Sequence, residues 1–220
     1  MDNLQSIALA AGLGWASGIR LYAVLFIVGL VDKMGWANLP QSMHVLSHPL
    51  VMGATGFMLF VEFFADKIPG LDTIWDAVHT FIRIPAGAAL AASMAGADST
   101  VMTLVAGILG GAMATGSHVT KAGSRALINT SPEPVSNWTA SLTEDALVVG
   151  GLWAMFTNPV IFLIGLGIFI ILALWLLPKL WRALKSIFTR INHAFDGGTA
   201  AHNHAQSQSE RKTDLIEKTI

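Results

Sequence analysis

No cysteine occurs in the 220 residues, which excludes disulfides, thiolate metal sites and cysteine nucleophiles. Charge is scarce as well. Only 12% of residues are charged, against about 25% in an ordinary soluble domain. The formal net charge is −1. No basic stripe is there to neutralise phosphates, so nucleic acid is excluded as a partner. The HExxH, GxSxG and Gly-rich phosphate-loop patterns are missing, which argues against the enzymes that carry them. The opening stretch, MDNLQSIALAAGLGWASG, lacks a basic n-region. A cleaved signal peptide is therefore not expected, and the first apolar segment is expected to stay.

What the chain has is hydrophobicity, at 53% of residues, gathered in runs near the length of a bilayer span. That places it in a membrane as an all-α protein. Six spans are expected, at 4–31, 50–64, 86–95, 101–116, 138–156 and 160–177. The first is long and carries Gly12, Gly14, Ser17 and Gly18 before Arg20. Two readings stay open. It is one kinked helix packed through its small face, or a broken helix whose freed backbone groups line a site.

Between the second and third runs lies EFFADKIPGLDTIWDAVHTFIRIPAG, from Glu62 to Gly87. It holds Glu62, Asp66, Lys67, Asp72, Asp76, His79 and Arg83 within a hydrophobic setting. Charge near hydrocarbon is costly, so such residues pair, face a cavity or serve a function. Residues 71–84 predict an amphipathic interfacial helix ended by Pro85, with Asp72 as N-cap; the span at 86–95 either stands by itself or continues from that helix. Asp72, Asp76, His79, Thr80 and Arg83 share one face, and Leu71, Ile74, Trp75, Val78, Phe81 and Ile82 share the other. Asp72, Asp76 and His79 are weak candidates for a metal, since carboxylates and imidazole on one face suit several divalent ions. His44 and His48, and His202 and His204, are weaker pairs still.

The fourth span runs into His118, Lys121 and Arg125, and the fifth carries Glu144 and Asp145. Arg125 is expected near the two acids, and Glu144, Asp145, His118 and Lys121 are expected to share one polar cavity with Glu62 and Arg20. The rival reading is salt bridging that only fixes helix register. Asn137-Trp138-Thr139 matches a glycosylation acceptor, a pattern frequent by chance. Lys179, Arg182, Lys185 and Arg190 follow the sixth span, and Lys67, Arg83, Lys121 and Arg125 fall in loops on the same side. Basic residues favour the cytoplasm. Both termini are therefore expected inside, in the inner (plasma) membrane.

The segment ASGIR at 16–20 resembles ATGSH at 114–118. Three spans per half make the halves, about 5–97 and 101–178, inverted repeats, as in many transporters. Residues 1–190 form the membrane domain, and 191–220 a polar, disordered cytoplasmic tail.

Two stretches, EFFADKIPGLD…DAVHTFIRIPAGAALAA and HVTKAGSRALINTSPEPVSNWTASLTED, resemble the signatures of an uncharacterised family of prokaryotic integral membrane proteins, domain of unknown function family 4126. The resemblance covers roughly 5–178. It implies a small inner-membrane protein and no established activity. Three functions remain on the residues alone: a transporter- or channel-like protein for an ion, solute or lipid headgroup, an assembly factor, or a metal-dependent enzyme on lipid headgroups. The lipid bilayer is the expected partner. A homo-oligomer and a lipid or ion ligand are compatible, and no cofactor is readable.

Overall fold

The computed structural model describes residues 3–94, 99–130, 134–186 and 189. Among them every regular element is helical and no strand occurs. The order is α1 (Asn3–Lys33), a 3-10 helix (Gln41–Ser47), α2 (Pro49–Ala65), α3 (Leu71–Met94), α4 (Thr100–Ile128), α5 (Pro134–Thr157) and α6 (Pro159–Ser186). The described residues up to Leu180 form one compact unit, and those from Trp181 onward belong to a second. Of the second, the described residues are helical. The tail expected at 191–220 lies outside the described residues.

Three helices, α1, α4 and α6, are long and apolar enough to cross a membrane. The count reaches four if the 3-10 helix and α2, bent by 66°, are one span. Many apolar side chains of α6, among them Ile161, Ile164, Ile168 and Ile171, are exposed, while Phe162 and Leu166 turn inward. So are Leu50, Phe57, Phe60 and Phe64 of α2. Large apolar groups outside and charges inside is the arrangement lipid demands.

The centre is α1. Its Ala8, Leu9, Leu13, Ala16, Val24 and Val28 are fully buried, and α2, α3, α4 and α5 all pack on it. Small residues set the spacing. A Cβ at Gly14 would come within 2.8 Å of the Gly110 Cα, and one at Gly18 would collide with Ser117 Oγ and the Ala114 carbonyl. Trp15 sits on the other side, edge-on to Phe162 and Phe169 of α6 at 6.0 and 5.6 Å. Gly18→Ala is therefore expected to lower stability by about 1–3 kcal/mol through overpacking. Gly116→Ala, whose Cβ would enter open space, is expected to be neutral or slightly stabilising. Thermal unfolding in detergent compares the two.

Several boundaries differ from those expected. Helix α3 does not end at Pro85 but runs through it to Met94. The proline lacks an N–H, which frees the Phe81 carbonyl from its usual helical donor. Within a membrane bundle such a loss is tolerated where neighbours support the helix, and Gly87, Leu90 and Ala91 pack inward just beyond. The segment 71–84 is thus the first half of a 24-residue helix, not a separate interfacial one. Its two faces divide as the spacing predicts, but the polar face is turned into the protein. Asp72, Asp76, His79 and Arg83 are buried, while Ile74, Val78 and Phe81 are exposed. Helix α4 likewise continues twelve residues past the expected end at 116, to Ile128. Its Ser117, His118, Lys121 and Arg125 are buried, at the spacing of one helical face.

Candidate functional site

Helix α1 breaks at Arg20, whose φ of −142° and ψ of 77° are not helical. A break frees carbonyls of the preceding turn from their i+4 donors. Side chains of α4 meet two of them. Lys121 Nζ donates to the Ile19 carbonyl at 3.2 Å, and the Gly18 carbonyl lies 3.3 Å from His118 Nδ1. A turn earlier Ser117 Oγ donates to the Trp15 carbonyl at 2.7 Å. The first span is thus kinked and packed through its small face, with carbonyls at the break engaged by side chains.

The break points the Arg20 guanidinium into a set of charges supplied by every neighbouring element. Nη1 is 2.7 Å from Asp66 Oδ2 and Nε is 3.0 Å from Asp145 Oδ1. Nη2 donates to Ser141 Oγ at 2.9 Å. Asp66 caps the C-terminus of α2 and also receives Lys121 Nζ at 2.7 Å. Lys121 reaches Asp76 at 3.2 Å and Glu144 at 3.7 Å. Arg83 clasps Asp76 at 2.6 Å with Nη1 and Glu62 at 2.5 Å with Nη2. Arg125 forks onto both Glu144 oxygens at 2.9 Å. It also donates to the Asp66 carbonyl at 2.9 Å and to Asn137 Oδ1 at 3.2 Å. Lys67 lies over the Phe63 ring at 3.0 Å, donates to Ser141 Oγ, and is 4.0 Å from Asp145.

All the acids and bases expected to share a cavity therefore fall in one connected network. Arg20, Glu62, Asp66, Asp72, Arg83 and Arg125 have no exposed surface at all. Five cations, Arg20, Lys67, Arg83, Lys121 and Arg125, face six carboxylates, Glu62, Asp66, Asp72, Asp76, Glu144 and Asp145. Arg83, Lys121 and Arg125 lie within helices and Lys67 in the turn after α2, and all four are buried beside carboxylates and not set out at a surface. An orientation argument that counts them loses those four. Lys179, which lies over the Trp175 ring at 3.1 Å, keeps its place in that argument.

The weak metal set separates. Asp72 Oδ1 accepts from the Gly70 and Thr73 amides and from Asn129 Nδ2 at 2.9, 2.6 and 2.8 Å. It lies inside the first turn of α3. Asp76 belongs to Arg83 and Lys121. His79 bonds Tyr22 at 3.1 Å and the Trp75 carbonyl at 2.8 Å. Among the described residues no three of His, Asp and Glu are grouped to hold a metal ion. His44 pairs with Asp32, and His48 caps α2 through Leu50, so these two do not converge either. His202 and His204 lie outside the described residues.

Asn137 is buried and bonded to Arg125 and Asn129. That corrects the glycosylation reading, because an acceptor amide must be exposed. Ser141, Asn137 and Asn129 are network members that spacing alone did not single out. Ser141 falls three and four residues, and Asn137 seven and eight, before Glu144 and Asp145, on the same helical side. Tyr22 carried one signal, as the chain's single tyrosine.

Burial alone would raise the Asp66 carboxyl. The Lys121 ammonium and Arg20 guanidinium beside it outweigh that and hold it below the ordinary carboxylate range.

The model of the family described as Domain of unknown function (DUF4126) matches residues 7–179. The chain belongs to this family. The matched region holds every residue of the network, from Arg20 to Asp145. No curated protein and no solved structure matches the chain. The family is uncharacterised, so membership supplies no activity, and the chemistry rests on the geometry.

Proposed function

We propose that this protein is a small transporter- or channel-like membrane protein for an ion, a small solute or a lipid headgroup, with the buried network as its control point. The observation that carries this reading is the break in α1 at Arg20, set inside the network. Salt bridges that only fix register need no broken helix, and buried pairs often do no better than break even in stability. Discontinuous helices with engaged carbonyls recur where transporters hold substrates and coupling ions. Ionisable groups at membrane depth are functional by default.

The reading includes six traverses, by α1, α2 with its 3-10 helix, and α3 to α6. Helices α3 and α5 carry Asp72, Asp76, Arg83, Glu144 and Asp145, which count against them in any test of composition. Those charges are turned toward the network, and lipid meets Val78, Phe81, Leu147 and Trp153 instead. The reading also includes two inverted three-helix halves. In its favour, the similar segments 16–20 and 114–118 lie against each other where Gly18 meets Ala114 and Ser117. Lys179 and Trp175 fit an interfacial anchor, which favours both termini on the cytoplasmic side of the inner membrane.

Purified protein in liposomes tests the function. Movement of an ion, solute or lipid across the bilayer without chemical turnover is the expected result. Product formed from a lipid headgroup would make it an enzyme. Binding to a membrane-protein partner with no movement would make it an assembly factor.

A further inference from the structure

The Lys121 ammonium is enclosed by oxygen. Nζ lies 2.7 Å from Asp66 Oδ2, 3.2 Å from Asp76 Oδ1 and 3.2 Å from the Ile19 carbonyl. These contacts engage the three protons of an ammonium. Glu144 Oε2 follows at 3.7 Å. The four oxygens come from four elements: α1, the C-terminal cap of α2, α3 and α5. The Ile19 carbonyl immediately precedes the break at Arg20, where an unbroken helix would bind it to an amide four residues on. The other cations are held differently. Arg83 and Arg125 grip carboxylates through two nitrogens of a planar fork. Lys67 lies over the Phe63 ring. Of the five, Lys121 alone sets a compact charge on a flexible stem among oxygens of four elements.

Those surroundings are what a free monovalent cation needs. Carboxylates and a carbonyl at a helix break recur as sites for coupling ions. Oxygens at 2.7 and 3.2 Å stand too far out for magnesium, at about 2.0–2.1 Å, or calcium, at about 2.3–2.6 Å. They suit potassium, which is close to ammonium in size. Asp66 and Asp76, both fully enclosed, each keep a second oxygen without a hydrogen bond. The network holds six carboxylates to five cations, so one more positive charge is tolerated and two are not called for. There is also a way in. Glu144 and Asp145 carry the network to the surface, with side chains 14% and 26% exposed.

We infer that the oxygen cage around Lys121 is a binding site for one monovalent cation of ammonium or potassium size, filled here by the protein's own ammonium, which a free cation displaces toward Glu144. Lys121 is thus a tethered ion. It matches the charges of Asp66 and Asp76 while no free ion is bound. Displacement needs only rotation of its stem, because Glu144 Oε2 already stands 3.7 Å away. No bond is made or broken. This deepens the transport reading by naming a monovalent cation as the transported or coupling ion. It rests on that reading for movement across the bilayer, but not for binding.

Lys121→Ala removes the tether and leaves the cage. Its unfolding midpoint is measured in detergent at constant ionic strength, with choline replaced by ammonium, potassium or magnesium. The midpoint is expected to rise with the logarithm of the ammonium or potassium concentration once the site fills. The wild type, whose cage is occupied, should rise several-fold less. No rise over choline, an equal rise in the wild type, or a rise with magnesium alone overturns the inference. If Lys121→Ala folds in none of these salts, the wild type in liposomes decides, through acylation of Lys121 read by peptide mass spectrometry. Potassium in place of choline should speed that labelling several-fold, because the displaced amine leaves the cage. Labelling indifferent to potassium overturns the inference. A potassium effect without movement in liposomes sinks the transport reading alone. Movement without any potassium effect sinks the cation site alone.

Discussion

Asp66→Asn is expected to destabilise the protein by about 3–5 kcal/mol, the range for breaking a buried charge pair by removing one partner. The carboxylate stands between Arg20 and Lys121, each at 2.7 Å, and all three are buried. An amide keeps the shape and loses the charge, so two cations are left competing for Asp76, Glu144 and Asp145. Neutralising both sides, as Asp66→Asn with Lys121→Met, is expected to cost less than the single change, because no charge is stranded. The same group sets an acid limit. Its carboxyl is depressed when folded. Its contribution is therefore complete above the ordinary aspartate value of about 3.9, and is lost as pH falls from there through the folded value. Equilibrium unfolding in detergent across that acid range reads both effects. A wild type that loses nothing on acidification relative to Asp66→Asn would contradict the assignment.

Arg83→Met is expected to be comparably severe, again about 3–5 kcal/mol. One guanidinium holds Glu62, Asp76 and His118 together, joining α2, α3 and α4. Methionine fills much of the volume but supplies none of the donors. Asp76 would keep only Lys121 at 3.2 Å. Glu62→Gln should cost less than Arg83→Met, since Arg83 keeps Asp76 and an amide oxygen can still accept from it. The measured quantity is the difference in unfolding midpoint between the two variants. Equal losses would mean that the charge of Glu62 matters as much to this junction as the guanidinium itself.

Much of this arrangement can be read in the chain before any coordinates. The face shared by Asp72, Asp76, His79, Thr80 and Arg83 is a matter of helical spacing, and it holds. What that face meets is not local information. An amphipathic pattern reports that two sides differ, and water and a buried counter-charge look the same from one helix. Lys67, Arg83, Lys121 and Arg125 look like surface cations for that reason, since their partners lie up to 78 residues away, as Asp145 does from Lys67. Pro85 and the end of α4 were misjudged through a second limit. Proline disfavours a helix by local sterics, and the charges past Gly116 look like the edge of a span. Packing by Gly87, Ala91 and Gly110 and pairing of His118, Lys121 and Arg125 override both. The break in α1 was half legible, in Ser17-Gly18 before Arg20. That it falls at the arginine itself depends on Asp66 and Asp145, which no neighbouring residue announces.

The claim at the centre is that the network governs movement across the membrane and is not merely a set of struts. The most direct measurement is flux in liposomes by wild type and Glu62→Gln, each shown folded by its unfolding transition. Wild-type flux, and its loss in a stably folded Glu62→Gln, is the predicted result. Unchanged folding and unchanged flux in Glu62→Gln, Glu144→Gln and Lys121→Met alike would contradict it.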